Sequence, residues 1–118
     1  MNKKETNIIV TDFIEDILCI DSVHGEKIGN KILEYWNDGY IVTLDFEGVN
    51  LLFASFINSM YAVLSQNFTL DEIRQKLKYS NLNKVELSEI QRCEKILSVH
   101  NAKNEELRHI IEQLTEGK

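Results

Sequence analysis

Short apolar runs separated by polar turns predict alternating strands and helices in the first half of the chain. The β-branched run 7–14 predicts a first strand, and residues 16–20 either extend it or pair with it as one arm of a hairpin. After a turn at 21–25, apolar side chains at helical spacing predict a helix over 26–36. Residues 40–46 are apolar enough to form the central strand of a sheet.

The second half of the chain is predicted to add a helix, a short strand and a long helical end. The apolar stripe of 55–66 predicts a helix, Thr69 caps a short helical turn, and 75–82 predicts another strand. Helices placed between strands indicate βαβ units. We therefore predict an α/β fold: a small mixed β-sheet with packed helices over residues 1–84, followed by a C-terminal helical extension over 85–118.

The C-terminal extension carries a seam with alternating spacings of three and four, which is the pattern of a heptad repeat. The seam consists of Ile90, Cys93, Leu97, His100, Asn104, Leu107, Ile111 and Leu114. Two arrangements account for it: two amphipathic helices that fold back on the domain as part of it, or one helix that pairs with a second copy. In the second arrangement the dimer seam is formed by Ile90, Leu97, Leu107, Ile111 and Leu114.

The charge and composition restrict the kinds of partner that the protein can have. With 13 Lys and Arg against 19 Asp and Glu, the formal net charge is −6, whereas nonspecific binding to nucleic acid needs Lys and Arg. We therefore expect neither nucleic-acid binding nor attachment to an anionic membrane. The sequence shows no apolar run long enough for a signal peptide or a membrane span, so a cytoplasmic location is expected.

Few residues in the chain suggest catalysis or metal binding. Asp45 and Glu47 are paired carboxylates, yet no third carboxylate or histidine accompanies them at ligand spacing. A zinc site built from Cys19, His24 and Cys93 has no supporting motif, and Cys93 lies on an apolar stripe like a small core residue. We predict no catalytic residues, no metal and no cofactor.

The stretch "IVTLDFEGVNLLFASF" (41–56) combines a hydrophobic strand, an acidic turn before Gly48 and a single hydroxyl at Ser55. Ser55 suits the N-cap of the following helix, because a serine oxygen accepts a hydrogen bond from an unpaired backbone N–H there. The stretch resembles STAS domains, and more closely the small bacterial STAS-like proteins. These have a hydrophobic strand, the pattern LDF-x-G-V, a short loop, a hydroxyl residue with Phe, and a helix. The resemblance extends over roughly residues 6–85.

The resemblance implies a regulatory function. STAS domains include the anti-anti-sigma factors, which bind a histidine-kinase-like ATPase that phosphorylates a Ser or Thr at the start of this helix. By this resemblance Ser55 is the candidate phosphoacceptor, and the partner-binding residues are Phe53, Phe56, Asn58 and Ser59. In this chain Phe53 and Phe56 occupy positions where the family usually has Asp and Gly.

We therefore predict a non-enzymatic regulatory module that binds a protein partner, either a histidine-kinase-like ATPase or an anti-sigma-like regulator. Phosphorylation of Ser55 would switch this binding, because a phosphate adds roughly −1.5 to −2 charges at a helix start. One alternative is a structural scaffold that self-associates through the C-terminal helix as a homodimer. A second alternative is a small enzyme that uses Asp45, Glu47 or His24.

Overall fold

The computed structural model describes residues 4–98. Strands and helices alternate through this part of the chain, and none of its helices has the length and apolar composition needed to cross a membrane. The elements are β1 (Lys4–Ile9), α1 (Val10–Ile14), β2 (Leu18–Cys19), α2 (Ser22–Asn37), β3 (Tyr40–Asp45), β4 (Leu51–Leu52), α3 (Ala54–Leu64), α4 (Leu70–Lys76), β5 (Leu77–Ser80) and α5 (84–98).

Two small parallel sheets organise the fold. The larger has the order β1–β3–β5, with Thr6, Val42 and Leu77 in register across its three strands. The smaller, which we call the ribbon, pairs β2 with β4 and places Leu18 beside Leu51. The predicted α/β class with packed helices and a C-terminal helix is confirmed. The predicted sheet was mixed, whereas all strand pairs among residues 4–98 are parallel. Every hydrogen-bonded pair of strands is connected through at least one helix, which brings the second strand back in the same direction.

Side chains alternate along β3, so that one face of the larger sheet is buried and the other is partly open. Val42 and Leu44 are fully buried. The opposite face is mostly polar and carries the Glu5–Lys78 ion pair, with 3.0 Å between Oε1 and Nζ. Helices α2 and α3 pack against each other and contribute the largest part of the core, namely Ile28, Ile32, Trp36, Phe56, Ile57, Met60, Tyr61 and Leu64.

Two helices begin at capping residues that can be recognised in the sequence. Asp21 caps α2, since its Oδ1 accepts a hydrogen bond of 2.7 Å from the Val23 N–H. The predicted turn at 21–25 is therefore mostly the first turn of α2. The predicted cap at Thr69 is confirmed, and it forms a capping box with Glu72.

The predicted strand over 7–14 is wrong beyond Ile9. Residues Val10–Ile14 form a short helix, and its two ends, Val10 and Ile14, are both buried because they lie four positions apart on one face. Burial of this face outweighs the strand propensity of the β-branched residues. The hairpin alternative for 16–20 is also wrong, because Leu18–Cys19 pairs in parallel with β4 in the separate ribbon.

The described part of the C-terminal helix packs against the domain. Ile90 and Cys93 are buried in the core, and Leu97 packs against it. The chain itself therefore covers Ile90, which corrects the assignment of Ile90 to a dimer interface. Leu97 is only partly buried, and its assignment stays a prediction. Dimerisation through the rest of the seam stays a prediction, since those residues lie outside the described part of the chain: His100, Asn104, Leu107, Ile111 and Leu114.

Helices α2 and α3 approach each other most closely at two glycines. A Cβ on Gly25 would lie 2.2 Å from the Phe56 carbonyl oxygen, and a Cβ on Gly29 would lie 2.9 Å from the Val63 Cβ. Because the residue numbers of the contacts rise together along both helices, α2 and α3 run in the same direction. Both helices therefore begin at the same end of the molecule.

We expect Gly25→Ala to destabilise the fold by about 3 kcal/mol, because the added methyl group overlaps backbone atoms that cannot rotate away. At an open helix position the same substitution would stabilise by roughly 1 kcal/mol, so the sign of the change reports the close contact. Urea unfolding measures the free energy, with Asn30→Ala on the exposed side of α2 as the control. A Gly25→Ala protein as stable as the native chain would contradict the close approach of α2 and α3.

Candidate functional site

An open groove lies beyond the carboxyl ends of β3 and β5. One wall is formed by residues 49–55, which lead through β4 into α3, and the other wall is formed by the start of α5. The cavity volume is about 570 Å³. In open sheets of parallel strands, binding sites usually lie in crevices beyond the carboxyl ends of the strands. This groove is therefore the candidate site.

The ribbon exposes apolar side chains toward this end of the molecule. Neighbours in a parallel ladder point to the same side and alternate along each strand. Cys19 is fully buried and its ladder partner Leu52 packs against the core, so Leu18 and Leu51 point outward. Leu51 and Phe53 are 45% and 49% exposed, and Val85 across the groove is 77% exposed. We call this set the apolar face; it consists of Leu18, Ile20, Leu51, Phe53 and Val85.

Ser55 is exposed beside the groove as the second residue of α3. Its hydroxyl donates to the Ile20 carbonyl oxygen at 2.5 Å, which links the start of α3 to the end of the ribbon. The N-cap position belongs to Phe53, so the predicted N-cap function of Ser55 is wrong. The reason is that the chain stays extended only as far as Phe53, and the helix begins one residue before Ser55.

The other predicted partner-binding residues divide between surface and core. Phe53 lines the groove, and Asn58 is exposed on α3. Phe56 is fully buried, because the helix turns this position toward α2, and its assignment to a partner surface is wrong. Ser59 is half-buried and donates to the Ser22 carbonyl oxygen at 2.8 Å, which joins α3 to the first turn of α2.

The charged side chains that line the groove are both acidic. Glu86 and Glu89 belong to the first turns of α5, where Glu86 also accepts a hydrogen bond of 3.0 Å from the Asn83 N–H. The pKa of the buried Cys19 thiol rises to about 12, mainly through burial and further through the negative charges of Asp16 and Glu86. The same negative potential therefore reaches from the start of α5 to the ribbon.

Asp45 organises a turn beside the sheet. Its Oδ1 accepts hydrogen bonds from Asn81 Nδ2 at 2.7 Å and from the Glu47 N–H at 2.9 Å, and these bonds lower the pKa of the carboxyl. A carboxylate with a lowered pKa is a weak general base at neutral pH. None of Asp45, Glu47 and His24 lines the groove. Over residues 4–98, no three His, Cys, Asp or Glu side chains group closely enough to hold a metal ion.

A buried hydrogen-bond network holds α5, and with it one wall of the groove. Glu94 accepts a hydrogen bond of 2.8 Å from the Tyr61 hydroxyl and bonds of 3.2 and 3.1 Å from Arg74. Because the Tyr61 proton is donated to Glu94, the Tyr79 hydroxyl donates to the Tyr61 oxygen. Burial raises the pKa of both tyrosines, so both remain protonated donors at neutral pH. The network connects α3, α4 and β5 to α5.

Sequence reasoning identified Ser55 and Phe53 but missed the ribbon and the start of α5 as parts of the site. Asn83 and Glu86 form an Asn-x-x-Glu capping box, and this pattern is a sequence signal for a helix start at the groove. The ribbon has no comparable signal, because a strand of two residues has no period to detect.

The fold and the groove define a small parallel α/β domain with an open apolar groove beyond its carboxyl edge. The chain belongs to the family described as STAS-like domain of unknown function (DUF4325), which matches residues 24–86, just over half of the chain. The resemblance to STAS-like proteins is thereby confirmed, and the matched region includes Ser55 and most of the groove lining. No curated protein and no solved structure shows a significant match.

We expect Tyr61→Phe to lower the free energy of unfolding by about 2 kcal/mol, because it leaves the buried Glu94 carboxylate and the Tyr79 hydroxyl each one hydrogen bond short. Tyr35→Phe removes a hydroxyl from a partly exposed tyrosine and should change stability by less than about 0.5 kcal/mol. Urea unfolding of both variants, followed by Trp36 fluorescence, makes the comparison. Equal stabilities would show that the network does not hold α5.

Proposed function

We propose that this protein is a non-enzymatic regulatory module that binds a protein partner through the apolar face and the adjoining groove. The observation that carries this proposal is the grouping of exposed apolar side chains around one open groove. Isolated exposed hydrophobic residues are common on proteins, whereas contiguous ones mark interaction surfaces. The STAS-like fold supports a histidine-kinase-like ATPase or an anti-sigma-like regulator as the partner.

The polar groups of the groove support binding in preference to catalysis. A nucleophilic serine needs a neighbouring base that takes its proton. The Ser55 hydroxyl instead donates to the Ile20 carbonyl oxygen, and among the described residues no histidine lines the groove. Glu86 is engaged in capping α5, and Glu89 forms an ion pair with Arg92. These polar side chains are engaged in holding the walls of the groove.

Phosphorylation of Ser55 is the proposed switch. A phosphate at the start of a helix is stabilised by backbone N–H groups and by the helix dipole. Esterification removes the proton that Ser55 donates to Ile20, and it adds negative charge to a groove already lined by Glu86 and Glu89. Repulsion between like charges and the hydration of phosphate both oppose a hydrophobic contact. Phosphorylation would therefore release the partner.

A photoreactive benzoylphenylalanine in place of Phe53 is expected to capture the partner in cells of the source organism, because Phe53 is exposed on the apolar face and lines the groove. The matched control places the same group at Tyr40, where β3 begins at the opposite edge of the sheet. Mass spectrometry identifies a protein captured at Phe53 and not at Tyr40. A further Val85→Asp substitution should abolish the capture, since a charge enters the groove at an exposed position that the fold does not need. Equal capture at both positions, or none at Phe53, would reject the binding surface.

Phosphoserine installed at Ser55 is expected to weaken binding of the captured partner by at least about tenfold, since the interaction loses roughly 1.4 kcal/mol or more. Isothermal titration calorimetry with the purified partner measures the dissociation constant. Phosphoserine at Ser65, at the far end of α3, is the matched control and should leave it unchanged. The switch would be rejected if the Ser55-modified protein bound the partner equally well or more tightly. It would also be rejected if incubation with the partner ATPase and ATP left no phosphate on Ser55.

A further inference from the structure

The elements that form the apolar face carry acidic residues and almost no basic ones. No Lys or Arg occurs between Lys4 and Lys27, or between Lys31 and Arg74. These two stretches supply the whole ribbon and the start of α3. Carboxylates stand at both ends of β2, with Asp16 before it and Asp21 after it. The ribbon side of the site therefore carries no positive charge, and its nearest charged residues along β2 are acidic.

The second wall has the same sign where it faces the groove. Glu86 and Glu89 line the groove, and no Lys or Arg does so among the described residues. Arg92 pairs with Glu89 from the next turn of α5, and Lys84 is exposed at the start of this helix, so the wall is not uniformly acidic. Negative charge thus comes from both parts of the site, from Asp16 and Asp21 at the ends of β2 and from Glu86 and Glu89 on α5.

An apolar surface with a negative rim selects for partners of a particular chemistry. Hydrophobic anchors at the centre supply affinity, and complementary charges at the rim supply specificity and the rate of association. A second copy of this chain would bring an equally acidic rim against this one. An anionic membrane would be repelled for the same reason.

We propose that the apolar face binds a basic amphipathic segment of the partner protein, with aliphatic side chains in the groove and Lys or Arg against the acidic rim. This inference rests on the proposed function, because it names the chemistry of the partner at that same site. Aliphatic side chains of the segment contact Leu51, Phe53 and Val85. Its positive charges lie near Asp16 and Glu89. Helices of this pattern bind apolar grooves through residues at i, i+3, i+4 and i+7.

The test uses a model peptide of Leu and Lys with helical periodicity, labelled with a fluorophore, together with a Leu and Glu peptide of the same pattern. Fluorescence anisotropy with the full chain is expected to show saturable binding of the Leu/Lys peptide, and binding at least about tenfold weaker for the Leu/Glu peptide. Raising the salt concentration should weaken binding of the Leu/Lys peptide. Equal binding of the two peptides, or no binding of the Leu/Lys peptide, would overturn the proposal.

Two pairs of variants assign the binding to the apolar face and its rim. The first pair, Phe53→Ser with Val85→Ser, removes two exposed apolar side chains. The second pair, Asp16→Asn with Glu89→Gln, removes two negative charges. Each pair should weaken binding of the Leu/Lys peptide by about tenfold. The matched charge control is Glu34→Gln with Asp38→Asn, at the end of α2 beside the opposite edge of the sheet, and it should leave binding unchanged. Urea unfolding verifies that each variant is folded. A control pair that weakens binding as much as the rim pair would overturn the proposal.

Two further measurements address the other possible occupants. Sedimentation of the full chain would reveal a dimer, and co-sedimentation with phosphatidylserine vesicles would reveal membrane binding. If the chain dimerises or binds vesicles, and the Phe53→Ser, Val85→Ser variant does not, the apolar face has a different occupant and the proposal is overturned. A different result rejects the proposed function itself: photo-crosslinking at Phe53 captures no protein. A captured partner whose crosslinked segment is acidic or uncharged would overturn the basic segment and leave the protein-binding function intact.

Discussion

The close approach of α2 and α3 at Gly25 is the contact on which the rest of this structure depends. Without a side chain at this position, the backbone of α2 can lie against the Phe56 carbonyl group, and both helices run in the same direction. Their starts therefore lie side by side. Only in this arrangement can the hydroxyls of Ser55 and Ser59 donate to carbonyl groups just before and within the first turn of α2. A side chain at Gly25 would separate the ribbon from α3 and change one wall of the groove.

Parallel strands explain why the groove occurs at this end of the molecule. Each strand of the larger sheet ends at the same edge, so the segments that follow β3 and β5 meet there. The ribbon adds a second layer at that edge, with Cys19 turned to the core and Leu51 turned to solvent. An apolar surface is stable in this position because the core beneath it is complete without it. Its exposed side chains are the ones through which we propose that the protein binds its partner.

The two walls of the groove are held by different kinds of interaction. Backbone ladders and the Ser55 hydroxyl hold the ribbon wall, whereas the α5 wall depends on buried side chains around Glu94. A buried carboxylate is tolerated because Tyr61 and Arg74 satisfy its oxygens. The carboxylates of α5 thus have two roles. Glu94 holds the helix against the domain, and Glu86 and Glu89 make the groove surface negative. The family match covers the first wall and only the start of the second.

Local patterns in the sequence determined the α/β class, the strand at 40–46, the helix cap at Thr69, and the resemblance to STAS-like proteins around Ser55. These features depend on hydrophobic period and on hydrogen bonds between residues a few positions apart, which a sequence displays directly. Tertiary structure alone decided that Val10–Ile14 is helical, since burial overrode its strand propensity, and that β2 pairs with β4 and not with β1. It also decided that Phe56 is core and that Leu51 and Val85 share a groove. Such facts depend on which distant segments meet, and packing of the whole chain determines those meetings.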